Sequence, residues 1–314
     1  SMFMLCDTIV VFDHVRHSLK IVSHVRLDTD DLKSAYESAT KRLDFVVSRL
    51  SRPILSYDSS SRKRKLNEED KKNLDIESMS NVGQSGYESF VKSLKTNITN
   101  GDIIQAVPSQ RVAIPMRNND ENEAFNLYRR LRTINPSPYM FFLRLGNGTY
   151  VAGASPEMLC KFERESRVVT THPIAGTRRR GKDDEHDAAL AKELLGDEKE
   201  RAEHIMLVDL GRNDVGRVAV PGSVEVTELM KIVKYSHVMH IVSVVKGVLR
   251  EDKTAYDAFR SIFPAGTVSG APKVRAMQIV ASLEKERRHI YAGAVGYVSF
   301  NGEMDTAIAI RTSS

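Results

Sequence analysis

Apolar and polar positions alternate through residues 3–12 and again through 18–25, with the polar step Asp13-His14 between them. That pattern predicts two strands joined as a hairpin. Over 29–50 the period changes: Leu32, Ala35, Ala39, Leu43, Val46, Val47 and Leu50 fall on one helical face. Residues 51–84 are rich in Ser, Lys, Asp and Asn and carry little periodicity, so 58–84 reads as a mobile surface insertion. A helix follows at 87–97, closed by Asn100-Gly101. The pattern then predicts a strand at 102–114, a helix at 121–133 and short strands at 139–145, 149–154, 158–163 and 167–173. Helices are expected at 183–195 and 197–210. Residues 223–250 hold one strand and then a segment that reads as either helix or strand. Helices at 255–262 and 273–285 precede closing strands at 292–300 and 306–311, separated by the hairpin signal Asn301-Gly302. Successive short strands favour an antiparallel sheet over βαβ units.

Composition narrows the class. The chain has 314 residues, 41% hydrophobic and 28% charged, which is ordinary for a soluble globular protein, and its length suggests about two domains. No apolar run approaches the roughly 18–20 residues that cross a bilayer. The first residues lack the basic region of a signal peptide, and Ser1-Met2 reads as an appended start. A cytoplasmic location is the expectation. Cys6 and Cys160 lie in apolar runs and read as buried free thiols rather than a disulfide. The net charge of +5 raises nucleic acid as a partner, but the excess sits in Arg62-Lys63-Arg64-Lys65 and Arg178-Arg179-Arg180 without interleaved aromatics. The first of these runs reads as a solvated, nuclear-localisation-like segment, the second as a basic loop after a turn.

Several groups have the make-up of a site. Glu200 and Glu203 are spaced i, i+3 and share a helix face, where paired carboxylates present hard oxygen to magnesium. Asp197 and Glu200 equally fit a capping box, and Glu203 a solvated face. Pro173-Ile-Ala-Gly-Thr177 brings a glycine to the end of a strand, where backbone N–H groups approach an anion, or forms a plain turn. Gly266-Thr-Val-Ser-Gly-Ala-Pro-Lys273 is a small-residue loop entering a helix, without Walker A spacing. His240 sits in an apolar context that suits a satisfied core residue as well as a catalyst. Zinc-ligand spacing, a nucleophile elbow and a dinucleotide fingerprint are all missing from the sequence.

In order along the chain stand Asp102-Ile-Ile-Gln-Ala-Val-Pro-Ser-Gln-Arg111, Asn135-Pro-Ser-Pro-Tyr-Met140, Ala154-Ser-Pro-Glu157, Pro173-Ile-Ala-Gly-Thr177, Ala202-Glu-His-Ile-Met-Leu-Val-Asp-Leu-Gly-Arg-Asn-Asp214, Tyr235-Ser-His-Val-Met-His240, Gly266-Thr-Val-Ser-Gly-Ala-Pro-Lys273 and Tyr291-Ala-Gly-Ala-Val-Gly-Tyr297. This set resembles the component I (large-subunit) family of anthranilate synthases, among the chorismate-utilising enzymes. The resemblance spans nearly the whole chain.

It implies an α+β fold in which mainly antiparallel β-sheets pack together with helices outside and the site in the cleft. It implies Mg²⁺ as cofactor, held by Glu203 with Glu200 in support and acting as a Lewis acid on the chorismate ring carboxylate. Gly176, Thr177, Ala175, Tyr291 and Arg311 are implied as substrate-binding, the arginine by a bidentate grip on carboxylate. Glu157 is the implied general acid for the departing 4-hydroxyl, and Thr267 stands near the reacting edge. Ammonia adds at ring C2; the C2 proton then leaves and pyruvate is eliminated, a second step linked to His240. Water-using relatives place a lysine base where this chain has Gln105, and aminodeoxychorismate synthases commonly place lysine where it has Ala175. The pair Gln105 and Ala175 is the anthranilate synthase combination. A glutamine amidotransferase subunit is the implied ammonia source, and Pro138, Tyr139 and Met140 match part of an L-tryptophan feedback site.

The resemblance also implies a longer chain, truncated here at both ends, with a Gly-Ala-Gly loop and an acidic metal-binding helix beyond Thr312. The expected organisation is 1–57 leading into the core, 58–84 as the insertion, and 85–314 as a chorismate-binding domain without its C-terminal segment. Competing expectations are component I of aminodeoxychorismate synthase and a non-catalytic portion that keeps the fold. No nucleic-acid or membrane partner is expected.

Overall fold

The computed structural model describes residues 1–28, 31–53, 76–114 and 121–314. The chain divides into two compact units, Ser1–Asn73 and Leu74–Ser314. In the first, strands β1 (Thr8–Asp13) and β2 (Ser18–Ser23) form an antiparallel hairpin, from Thr8 opposite Ser23 to Asp13 opposite Ser18. Asp13 closes the turn by accepting from the N–H groups of Val15 and Arg16. Helix α1 (Leu32–Leu50) is capped by the Asp31 carboxylate and packs on β2. Arg42 reaches from it to Ser23 Oγ and the His24 carbonyl. Cys6 is exposed, not buried as its apolar run suggested, because regular pairing begins only at Thr8.

The second unit opens with helices α2 (Ile76–Met79) and α3 (Gly83–Thr99), short strand β3 (Gln105–Ala106) and helix α4 (Glu121–Ile134). Part of the expected insertion therefore folds: residues 76–84 belong largely to α2 and the start of α3, while 58–75, including Arg62 to Lys65, lie outside the described residues. The long strand expected at 102–114 shrinks to two residues for a specific reason. Pro108 offers no N–H, and the next amides turn to side chains, Ser109 to Glu284 and Arg111 to Asn81.

Next come β4 (Tyr139–Gly146), β5 (Thr149–Ser155), β6 (Met158–Glu163), β7 (Val168–Thr171) and β8 (Ile174–Arg179). Helices α5 (Asp184–Gly196) and α6 (Glu198–Gly216) precede β9 (Glu225–Lys234) and β10 (Val238–Val248), so the ambiguous stretch resolves into two strands. Helices α7 (Ala255–Ile262) and α8 (Gly266–Ser269), strand β11 (Gly270–Ala271), helix α9 (Lys273–Leu283) and strands β12 (Ala294–Val298), β13 (Met304–Ile308) and β14 (Thr312–Ser313) complete the order.

Every described strand pair is antiparallel. A seven-stranded sheet runs β12-β13-β6-β7-β10, with β8 continuing β7 along the same edge of β10 and β9 on its other edge. A second sheet has the order β14-β5-β4. The chain crosses between the two sheets twice, at 156–157 from β5 to β6 and at 309–311 from β13 to β14.

The main core lies between the large sheet and helices α6 and α7. Val208 and Val215 of α6 meet Val169, Val245, Leu159, Ala258 and Ile262, all essentially removed from water. Burying a side chain of this size contributes about 1.5–3 kcal/mol. Arg178 and Arg179, expected in a loop, are the last residues of β8. Among the described residues no helix is long and apolar enough to cross a membrane.

Candidate active site

Helix α6 carries the paired carboxylates. Asp197 caps it, accepting from the amides of Lys199 (3.0 Å) and Glu200 (3.1 Å), a contact worth about 1 kcal/mol. Only this half of the expected capping box forms. The Asp197 amide bonds Leu194 instead, and the Glu200 carboxylate takes Arg178 Nη1 at 3.3 Å. Arg178 also bonds Asp197 and Glu193, so the supposed basic loop neutralises the acidic start of α6. One turn on, Glu203 is half-buried and accepts from Gln105 Nε2 at 3.0 Å.

The histidine is positioned by a β-bulge. His240 pairs with Thr177 and Ile241 with Ala175, leaving Gly176 as an extra residue between them with φ +74°. Glycine is needed there twice over: an L side chain disfavours that φ, and a Cβ would approach Leu194, Ile241 and Glu200 Oε2 at 3.1–3.3 Å. The bulge brings the Gly176 carbonyl to 3.1 Å and Thr177 Oγ1 to 2.9 Å from His240 Nδ1. A carbonyl only accepts, so Nδ1 carries the proton and Nε2 holds a free lone pair. Nε2 is buried with no hydrogen-bond partner. Burial lowers the imidazole's pKa; the Gly176 bond opposes this and the Arg311 charge adds to it.

Glu157 and Arg311 occupy the two crossovers between the sheets. Glu157 is 7% exposed, and burial pushes its carboxyl up to about 8, against the lowering effects of a 3.1 Å bond from Thr267 Oγ1 and of Arg311. At neutral pH it is therefore a protonated acid. The Arg311 carbonyl accepts from the Ala154 amide, and its side chain lines a cavity with Asn135, Pro156, Tyr235 and His240.

The loop between α7 and α9 closes the circuit. It presents Thr267 to Glu157, and its strand β11 pairs with β3, setting Ala271 opposite Gln105. At Gly270 (φ +130°) a Cβ would lie 2.3 Å from the Gln105 carbonyl oxygen, so only glycine admits this approach. The site residues form a ring held by links of different kinds. Hydrogen bonds join Thr177 to His240, Thr267 to Glu157 and Gln105 to Glu203; Arg311 lines one cavity with His240 and its charge acts on Glu157; the β11–β3 pairing connects the Thr267 segment to Gln105, and Glu203 stands one helical turn from Glu200.

Of the residues singled out in the sequence, Gln105, Glu157, Ala175, Gly176, Thr177, Glu200, Glu203, His240, Thr267 and Arg311 stand on or beside this ring. Tyr291 is further out, stacked by the Arg288 guanidinium at 5.7 Å; Arg288 in turn donates to the Val268 carbonyl. Pro138, Tyr139 and Met140 stand just before and at the start of β4, where burial and the nearby Asp305 carboxylate raise the Tyr139 phenol pKa. Sequence reasoning missed Arg178 and Tyr235. Tyr235 meets the His240 ring edge-on at 5.5 Å. Its place in the quoted Tyr235–His240 segment was the available signal.

No three His, Cys, Asp or Glu side chains among the described residues converge as a metal site. Glu200 and Glu203 are the two whose hard oxygens suit magnesium, a cation that completes its shell with water and substrate oxygens.

A mainly antiparallel fold with a buried acid, a neutral histidine and paired carboxylates gathered at one site points to an established class. The family model described as chorismate binding enzyme covers residues 1–314, and the chain belongs to that family. It is 51% identical to anthranilate synthase component 1 of Saccharomyces cerevisiae over 98% of this chain and 59% of the relative. It is 47% identical to the Acetivibrio thermocellus protein of that name over 99% and 60%. The crystal structure of anthranilate synthase component I from Streptococcus pneumoniae superposes with a TM-score of 0.80 at 40% identity, covering 98% of this chain and 63% of that one. The chain thus spans about three fifths of the length of the curated relatives it matches.

Proposed function

We propose that this chain is the chorismate-binding part of an anthranilate synthase catalytic subunit, converting chorismate and ammonia to anthranilate, pyruvate and water. The observation that carries this reading is the 3.0 Å bond from Gln105 Nε2 to Glu203, a neutral amide in contact with the carboxylate pair. Ammonia needs no base to activate it, whereas water does, so an amide suits a nitrogen nucleophile.

Arg311, Thr177 and the Gly176 backbone would bind substrate carboxylate and orient the ring between Glu157 and His240. Glu157 holds its proton at neutral pH and gives it to the departing 4-hydroxyl as nitrogen bonds to ring C2. Neutral His240 then removes the C2 proton through Nε2; the C2–H electrons form the ring double bond as the enolpyruvyl C–O bond breaks, and the released enolpyruvate takes a proton at its methylene carbon to become pyruvate. Acid and base are kept distinct by burial, which raises the carboxyl and lowers the imidazole. Glu203, with Glu200 behind it, would hold magnesium, which supplies Lewis acidity toward a substrate carboxylate when bound.

In the same reading a glutamine amidotransferase subunit supplies ammonia, L-tryptophan acts on the segment around Tyr139, and the enzyme works in the cytoplasm. The test is the position of nitrogen after incubating the complete chain with chorismate, Mg²⁺ and ¹⁵N-ammonium. A 2-amino product is expected. A 4-amino product would move the assignment to aminodeoxychorismate synthase.

A further inference from the structure

Lys273 and Asp214 form a buried ion pair outside the ring. Lys273 Nζ lies 2.5 Å from Asp214 Oδ2 and 2.7 Å from the Ile262 carbonyl, and the two side chains are 11% and 6% exposed. Neither charge suits its own helix. Lys273 is the first residue of α9, where the dipole disfavours a cation, and Asp214 is in the last turn of α6, where it disfavours an anion. Both lose hydration, and buried pairs of this kind are often no more stabilising than apolar residues of similar volume. Stability alone therefore does not account for the pair, but its position in the chain does.

Ile262 ends α7 and Lys273 begins α9, so the ammonium joins the two ends of the segment 263–272 and ties both to α6. Ser261 Oγ adds a bond to the Asp214 carbonyl at 2.5 Å. That segment holds Thr267, which donates to Glu157, and β11, which pairs with the strand carrying Gln105. We propose that Lys273, through its pair with Asp214, is a positioning residue that fixes this segment so that Thr267 meets the Glu157 carboxyl. The role of Glu157 as acid rests on the function proposed above; the positional link does not.

The test follows the Glu157 side chain by ¹³C NMR across pH, a readout that requires no turnover and so stands or falls apart from the assigned reaction. Thr267, Arg311 and Tyr235 are the polar and charged groups that act on this carboxyl. The variants are Thr267→Val, Asp214→Asn with Lys273→Met, and all three changes together. Removing both charges avoids stranding one of them. Loss of the Thr267 bond should tighten proton binding by Glu157 roughly three- to tenfold, the scale of one hydrogen bond. The same rise is expected in the charge-free double variant, with no further rise in the triple variant. Lys273→Arg, which keeps the charge in a different shape, should fall between wild type and the double variant, and it carries the comparison if the double variant does not fold. A titration of Glu157 unchanged by the Lys273 variants, or one whose shift adds fully to that of Thr267→Val, would overturn the proposal.

Discussion

Thr177 Oγ1 lies 2.9 Å from His240 Nδ1, and the Gly176 carbonyl lies 3.1 Å from the same nitrogen. Two groups at one nitrogen of the imidazole fix its tautomer and leave Nε2, buried and without a hydrogen-bond partner, as the lone-pair nitrogen. In the proposed reaction, His240→Ala removes the base for the second chemical step and leaves Glu157 in place for the first. The variant is expected to consume chorismate and accumulate the aminated intermediate, with pyruvate release slowed roughly 10²–10⁴-fold. Separate assays of chorismate loss and pyruvate formation check this. Loss of both in parallel would place His240 in the first step as well.

The pH profile follows from the directions of two shifts. In the proposed reaction the working form has His240 neutral and Glu157 protonated. Burial lowers the first, so the acid limb should fall below the ordinary histidine value; Glu157 titrates at about 8, so the alkaline limb should lie there. The pH dependence of kcat/KM from pH 5 to 9, which reports the free enzyme, measures both limbs. An acid limb at or above the free histidine value contradicts the assignment of the base.

Glu157 also affects stability. Its folded pKa is raised, so its contribution is intact below the unfolded carboxyl value and is lost as pH rises toward about 8. Glu157→Gln removes the ionisable group. It should abolish turnover while raising stability at pH 8 relative to wild type by roughly 2–4 kcal/mol, with little difference at pH 4.5. Denaturant melts at the two pH values give the comparison, and equal differences at both would show that burial of the charge is not responsible.

At the bulge, Gly176→Ala forces a Cβ onto a residue at φ +74° and against Glu200, Leu194 and Ile241. The conformational cost alone is about 1–2 kcal/mol. Movement of Thr177 and Glu200 should weaken chorismate and metal binding together. The expected result is a fall in kcat/KM of tenfold or more with the fold retained by circular dichroism.

The carboxylates should separate in role. Glu203→Gln is expected to raise the Mg²⁺ concentration needed for half-maximal activity by tenfold or more. Glu200→Gln should have the smaller effect, because Glu200 is held by Arg178. Isothermal titration with Mg²⁺ ranks the two directly, and a larger loss at Glu200 would reverse their assigned roles.

How much of this was legible in the sequence depended on how local the cause was. Strand β6 and helix α7 lie where alternation and helical period put them, since each buries one face against the core. The Asp197 cap was readable from residue type alone. The capping box was not, because Glu200 had a partner, Arg178, twenty-two positions away that no local rule could supply. The strand expected after Asp102 failed because Glu284 and Asn81 take its amides. The site residues were named by their motifs. Their connection into a ring depends on a one-residue bulge at Gly176 and on two crossovers between sheets, and neither leaves a periodic trace.

On the proposed function, this ring is a nitrogen-adding, pyruvate-eliminating site. The most direct measurement is the yield of anthranilate and pyruvate from the complete chain supplied with chorismate and ammonium, with and without Mg²⁺. Formation of the two products one for one, and only with Mg²⁺, is the predicted result. A hydroxylated or 4-amino product, or anthranilate formed equally well without the metal, would contradict it.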